Sequence, residues 1–118
     1  MNNLKLFRTL AGLKCRQLSS LLLVSAHVYG YYEKDFPLPP ETAVMLARIY
    51  RIDNAQLLCP VNEITDETIR NIEEISKIDP TDRDRILSLN LTNGKYEKLN
   101  FKKLWRIREE ILHELQQI

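Results

Sequence analysis

Apolar residues return every three or four positions through most of this chain, the period of amphipathic helices. Leu4, Phe7 and Ala11, with Leu6 and Leu10 beside them, predict a first helix that Gly12 stops. Arg16 to Leu22 predicts a second, short helix with Leu18, Leu21 and Leu22 inward. Ser25 is suited to cap a third, its hydroxyl accepting a free backbone N–H, and that helix runs through Tyr32 or Glu33. Phe36-Pro37-Leu38-Pro39-Pro40 breaks the pattern, because proline lacks a donor and restricts the residue before it. Pro40 fits the first position of a fourth helix bearing Ala43, Leu46, Ala47, Ile49 and Tyr50. Asp53 or Asn54 then caps a helix of little more than a turn that ends at Leu57 and Leu58, and Pro60 closes the unit.

The second half also reads as helical. Thr65 caps a helix with Ile69, Ile72 and Ile75 on one stripe, and Asp66 and Glu67 sit well against its N-terminal dipole. Asp79-Pro80 opens another that continues through Ile86 and Leu87, and Asn93-Gly94 marks a turn. The alternation of Leu87, Leu89 and Leu91 before that turn also fits a β-hairpin reaching Phe101, and is kept as the alternative. Phe101, Leu104, Ile111, Leu115 and Ile118 form a terminal stripe interrupted by Arg108, with Trp105 and Leu112 alongside. That pattern predicts an amphipathic terminal helix. The expected class is all-α, with one unit over residues 1–60 and a helical interaction region over 61–118.

Composition narrows the field. At 118 residues, 44% hydrophobic and 28% charged, the chain suits a folded globular protein rather than a disordered one. Apolar runs such as Leu21 to Val24 are far short of the ~20 residues of a membrane span, and no signal-like segment follows the start. Cys15 and Cys59 make no disulfide framework, and with His27 and His113 they lack metal-ligand spacing. A cytoplasmic setting without metal, cofactor or catalytic constellation is the expectation. The net charge of +1 conceals an asymmetry: residues 1–60 hold seven basic and four acidic groups, the rest ten and twelve. A mildly basic front half is compatible with a polyanion but leaves only a weak electrostatic footprint.

Arg8 to Ser19, Leu22 to Ser25 and Tyr31 to Lys34, continuing through Pro40-Glu41-Thr42 and Leu46 to Ile52 to Leu57-Leu58, resemble the Cro/C1-type (Xre) helix-turn-helix family. The resemblance covers residues 4–58 and implies the five-helix lambda-repressor-like domain. Arg8 falls on the family's helix-one arginine and Glu33 on the acid after the recognition helix, which the resemblance implies form an ion pair. It further implies a sequence-specific transcriptional regulator that binds double-stranded DNA as a homodimer. Such a motif lays its second helix in the major groove while the first crosses the backbone.

On this reading Ser25, Ala26, His27 and Tyr31 face DNA, while Tyr29 and Tyr32, three apart, belong inward. Lys14 and Cys15 open the second helix where the family touches phosphate, and Lys34 lies one step beyond Tyr31. Two positions and the make-up of the reading helix depart from the family pattern. Leu23 stands at the usual turn glycine, Cys15 at the usual glutamine, and the reading helix has no Arg, Asn or Gln for bidentate base contacts. Phe101, Leu104, Ile111, Leu115 and Ile118 are the expected dimer seam, the competing arrangement being a stripe packed within the monomer. The alternative function is a protein-interaction module that kept the fold and lost DNA, using the apolar loop and the tyrosines on a protein partner.

Overall fold

The first half of the chain forms α1 (Leu4–Ala11), α2 (Cys15–Leu22), α3 (Ala26–Glu33) and α4 (Pro40–Tyr50), followed by a single 3-10 turn at Asn54–Gln56. A second such turn, Val61–Glu63, leads into α5 (Asp66–Ser76), α6 (Pro80–Leu91) and α7 (Phe101–Gln116). The structure is a computed structural model that describes residues 2–95 and 98–117, and no strand occurs among them.

Local chemistry sets the helix ends. The hydroxyl of Ser25 accepts from the Val28 N–H at 3.1 Å, and that of Thr65 accepts from Thr68 N–H at 3.1 Å. Asp79 accepts from Thr81 N–H at 3.0 Å and Asn100 from Lys103 N–H at 2.9 Å. Each bond satisfies one of the orphan donors of a first turn. Gly12 closes α1 at φ 70°, a left-handed conformation glycine adopts without penalty. Leu23 closes α2 in the same region, at φ 60°, where a side chain is disfavoured.

The Leu87, Leu89, Leu91 alternation belongs to α6 and not to a hairpin: Leu87 and Leu91, four apart, are fully buried, while Leu89 is half-buried. A helical period therefore outcompeted the two-residue one: α6 packs on α4, and residues four apart share one face of a helix.

One apolar cluster runs through both halves, from Leu4, Phe7 and Ala11 to Ile107 and Ile111. Here α1 packs on α5, α2 on α3, and α4 on both α6 and α7. Helix α4 is the central element. It buries Thr42, Met45, Leu46, Ala47, Ile49 and Tyr50, too wide an apolar surface for the first-half helices to cover alone. The terminal stripe covers the remainder. Leu104 and Ile111, expected at a dimer seam, are instead buried in the chain's own core, with Ile107 between them and Leu115 half-buried against it. Phe101 stays exposed, and Ile118 lies outside the described residues.

Polar side chains of the second half also close helix ends of the first. Arg83 donates to the carbonyls of Gly12 at 3.2 Å and Ile78 at 3.3 Å, tying the end of α1 to the segment after α5. Asn71 donates to Arg51 O at 2.8 Å and Asn90 to Ile49 O at 3.1 Å, both at the end of α4. Arg108 donates to Leu22 O at 3.3 Å, at the end of α2, and to Glu41 Oε1 at 3.1 Å. Cations and amide donors suit these positions because the last carbonyls of a helix lack partners and carry its negative end.

Candidate nucleic-acid interface

Helix α3 is held from behind. Tyr29 is fully buried and Tyr32 nearly so, whereas Ser25, Ala26, His27, Val28, Tyr31 and Lys34 are exposed. The inward pair sits three apart and the outward set fills the rest of the cylinder, so burial of two tyrosines dictates which side chains face solvent.

Glu33 at the last turn of α3 fixes the helix to α1. Arg8 Nε donates to Glu33 Oε2 at 2.6 Å and Nη2 to Oε1 at 3.2 Å, while Nη1 reaches Leu13 O at 3.3 Å. A two-pronged contact of this kind constrains angle as well as distance. The hydrogen bond to Glu33 raises the guanidinium above its ordinary value, so Arg8 remains a cation throughout the working pH range.

The hydroxyls of Tyr29 and Tyr50 lie behind this pair, close enough to feel the Glu33 charge. Neither meets hydrogen-bond geometry with a partner among the described residues. Burial pushes both phenols well above the usual tyrosine value, reinforced at Tyr29 by Tyr50 and Glu33 and at Tyr50 by Glu33. The unfolded chain ionises these groups near pH 10 and the folded chain does not, so stability is complete below about pH 10 and declines above it. Each phenol removes up to ~1.4 kcal/mol per pH unit, the slope being half of that at pH 10, where the unfolded phenol is half ionised. Tyr29→Phe is therefore expected to lose about 1 kcal/mol less than the parent between pH 10 and pH 11, read by urea denaturation. Equal alkaline losses in both proteins would mean that the phenol ionises in place.

At the start of α2, Lys14 is exposed, and its N–H donates to Gln17 Oε1 at 2.9 Å. The Cys15 side chain is half-buried and packs on the core, so it offers no outward thiol. What this end presents is the first-turn N–H groups and the positive end of the dipole. Beyond α3, the Tyr31 and Phe36 rings lie 5.1 Å apart, both exposed. The outward face is thus mixed: two lysines at its margins, a serine cap and a histidine, and an aromatic pair.

Compared with models of known families, with curated proteins and with solved structures, the chain matches none of them.

Sequence reading placed Lys14, Ser25, Ala26, His27, Tyr31 and Lys34 outward, and the structure has all six exposed. It brings Arg8 and Glu33 together and turns Cys15 inward. It adds Val28 and Phe36 to the same exposed face. Phe36 carried a signal in its proline-flanked loop, where no helix can bury it; Val28 carried none beyond its spacing from Tyr29. Among the described residues no three His, Cys, Asp or Glu side chains are grouped to hold a metal ion. No described helix is long and apolar enough to cross a membrane.

Proposed function

We propose that this chain is a sequence-specific DNA-binding transcriptional regulator of the Cro/C1-type helix-turn-helix family, with α2 and α3 as the motif and α3 as the reading helix. The observation that carries the reading is the clamp of Glu33 onto Arg8 behind a helix whose opposite face is open from Ser25 to Tyr31. A reading helix needs this combination: fixed orientation behind, free side chains in front. Lys14 and the N–H groups opening α2 meet phosphate, as does Lys34; His27 and Tyr31 touch base edges. Binding as a dimer belongs to the same reading, since two such helices on half-sites one DNA turn apart match a palindromic operator. The left-handed Leu23 supports a tight turn between α2 and α3 despite the missing glycine.

Titration against random duplex DNA at two salt concentrations, with sequencing of the bound fraction, tests the proposal. Lys14→Ala and Lys34→Ala are expected to weaken binding to all sequences and flatten the salt dependence by roughly one unit of slope each. His27→Ala and Tyr31→Ala are expected to change the preferred sequence, with ~1–3 kcal/mol lost at a contacted base pair. Absence of duplex binding at low salt transfers the weight to a second reading, a protein-interaction module. The exposed Tyr31–Phe36 pair favours that reading, because aromatic side chains held against each other make good interface anchors.

A further inference from the structure

Helix α2 packs on α3 and α4, and the space between α2, α6 and the start of α7 is left as an open cleft of about 730 Å³. That lies within the usual size of small-molecule sites, about 300–1,000 Å³. Two ties between the halves set its ends. Arg83 on the Gly12 carbonyl holds the first turns of α6 beside the start of α2, and Arg108 on the Leu22 carbonyl holds α7 beside the end of α2. At the first end the walls are polar, with Arg16 and Gln17 from α2 and Asp84 from α6. At the other they are apolar: Leu21, Leu23, Val24, Leu99 and Leu104. All of these apolar residues except Leu104 are only half-buried, so the chain's own core leaves this surface partly uncovered.

Charge at the polar end points to the ligand. Among the described residues neither the Arg16 guanidinium nor the Asp84 carboxylate is in an ion pair, with each other or with a third group, and both side chains are exposed. The nearby serines supply no partner: the Ser19 hydroxyl is tied to Arg16 O at 3.1 Å and that of Ser88 to Asp84 O at 2.8 Å. A guanidinium takes a carboxylate by two parallel bonds, and a carboxylate takes an ammonium group. A ligand that answers both charges and covers the leucines therefore carries an ammonium and a carboxylate at one end and an apolar group at the other. A fatty acid would leave Asp84 without a partner, and an alkyl amine would do the same to Arg16. Either would take a charge out of water uncompensated.

We propose that this cleft binds a free α-amino acid with a large apolar side chain, its carboxylate on Arg16, its ammonium group on Asp84 and its side chain over Leu21, Leu99 and Leu104. The affinity is modest. The cleft is open to solvent on one side and both charged groups are exposed, which places the Kd at about 100 µM. The site has one wall on each half of the chain, and it holds or fails in protein without DNA, whatever the fate of the DNA-binding reading.

Titration of the isotope-labelled full chain with L-phenylalanine and with L-leucine, followed by amide chemical shifts, tests this. At least one of the two is expected to give saturable shifts at Ser20, Leu23, Ser88 and Leu104. Arg16→Gln and Asp84→Asn are each expected to weaken that binding about tenfold, and being exposed substitutions they keep the folded spectrum of the parent. Phenethylamine and phenylpropionate, which each lack one charge of phenylalanine, are expected to bind about tenfold more weakly than it. Phenylpropionate should lose further affinity with Arg16→Gln and none with Asp84→Asn. Absence of saturable shifts with both amino acids up to about 10 mM overturns the proposal. So does binding indifferent to either charge variant, or saturable shifts confined to other helices. Phenethylamine or phenylpropionate binding as tightly as phenylalanine overturns it too, since the site would then ignore one of its two charges.

Discussion

Replacing Arg8 by methionine is expected to cost about 3 kcal/mol of folding stability, near the lower end of the cost of breaking a buried ion pair. The guanidinium makes three hydrogen bonds, two to Glu33 and one to the Leu13 carbonyl, and the Glu33 side chain is only 10% exposed. Removing the cation leaves a carboxylate between α1 and α3 with its Arg8 hydrogen bonds gone and little access to water. Most of the loss comes from that stranded charge rather than from the pair's own strength, which desolvation largely offsets. Arg8→Met combined with Glu33→Leu should accordingly recover most of the stability. Arg8→Lys should not, because an ammonium cannot span both carboxylate oxygens and the Leu13 carbonyl together. Urea denaturation of the four proteins measures this. A single variant within about 0.5 kcal/mol of the parent would place the pair among ordinary surface contacts.

The same pair shows what sequence could and could not reveal. The pairing of Arg8 with Glu33 was an expectation of the family resemblance, whereas the helix ends at Gly12, Ser25 and Pro40 are marked by local chemistry alone. The three- and four-residue spacing likewise separated Tyr29 and Tyr32 from His27 and Tyr31, since a helix has only one inward face. Cys15 was open to two readings, a phosphate-facing place by the resemblance and a small packing residue because free cysteine is commonly buried; a side chain at a helix start has no periodicity to choose between them, and it lies half-buried against the core. Contacts between the halves were not legible at all. Arg83 on the Gly12 carbonyl spans 71 residues and Arg108 on the Leu22 carbonyl 86, and an isolated arginine in an amphipathic helix gives no sign of which distant helix end it will close. The terminal stripe is the instructive intermediate case. Its period announced a helix with an apolar face, but the choice between a second copy and the chain's own α4 depended on how much of α4 the first half left uncovered.

That choice yields the other large expected effect. Ile111→Ala should destabilise the chain by about 3 kcal/mol, since Ile111 is 1% exposed and its truncation leaves a cavity lined by well-packed neighbours. The loss should be fully present in dilute protein, at about 1 µM, where docking of two copies contributes nothing. A seam between copies behaves in the opposite way: truncation there leaves the dilute monomer nearly as stable and abolishes association. Paired measurements separate the two faces of α7. Ile111→Ala is expected to lower the urea midpoint in dilute solution. Trp105→Ala is expected to change the urea midpoint little, because the ring is 41% exposed. An Ile111→Ala protein with parental stability and no dimer would return the stripe to the role its periodicity first suggested. Helix α7 would then pair copies through the face here assigned to the core, and α4 would need another cover.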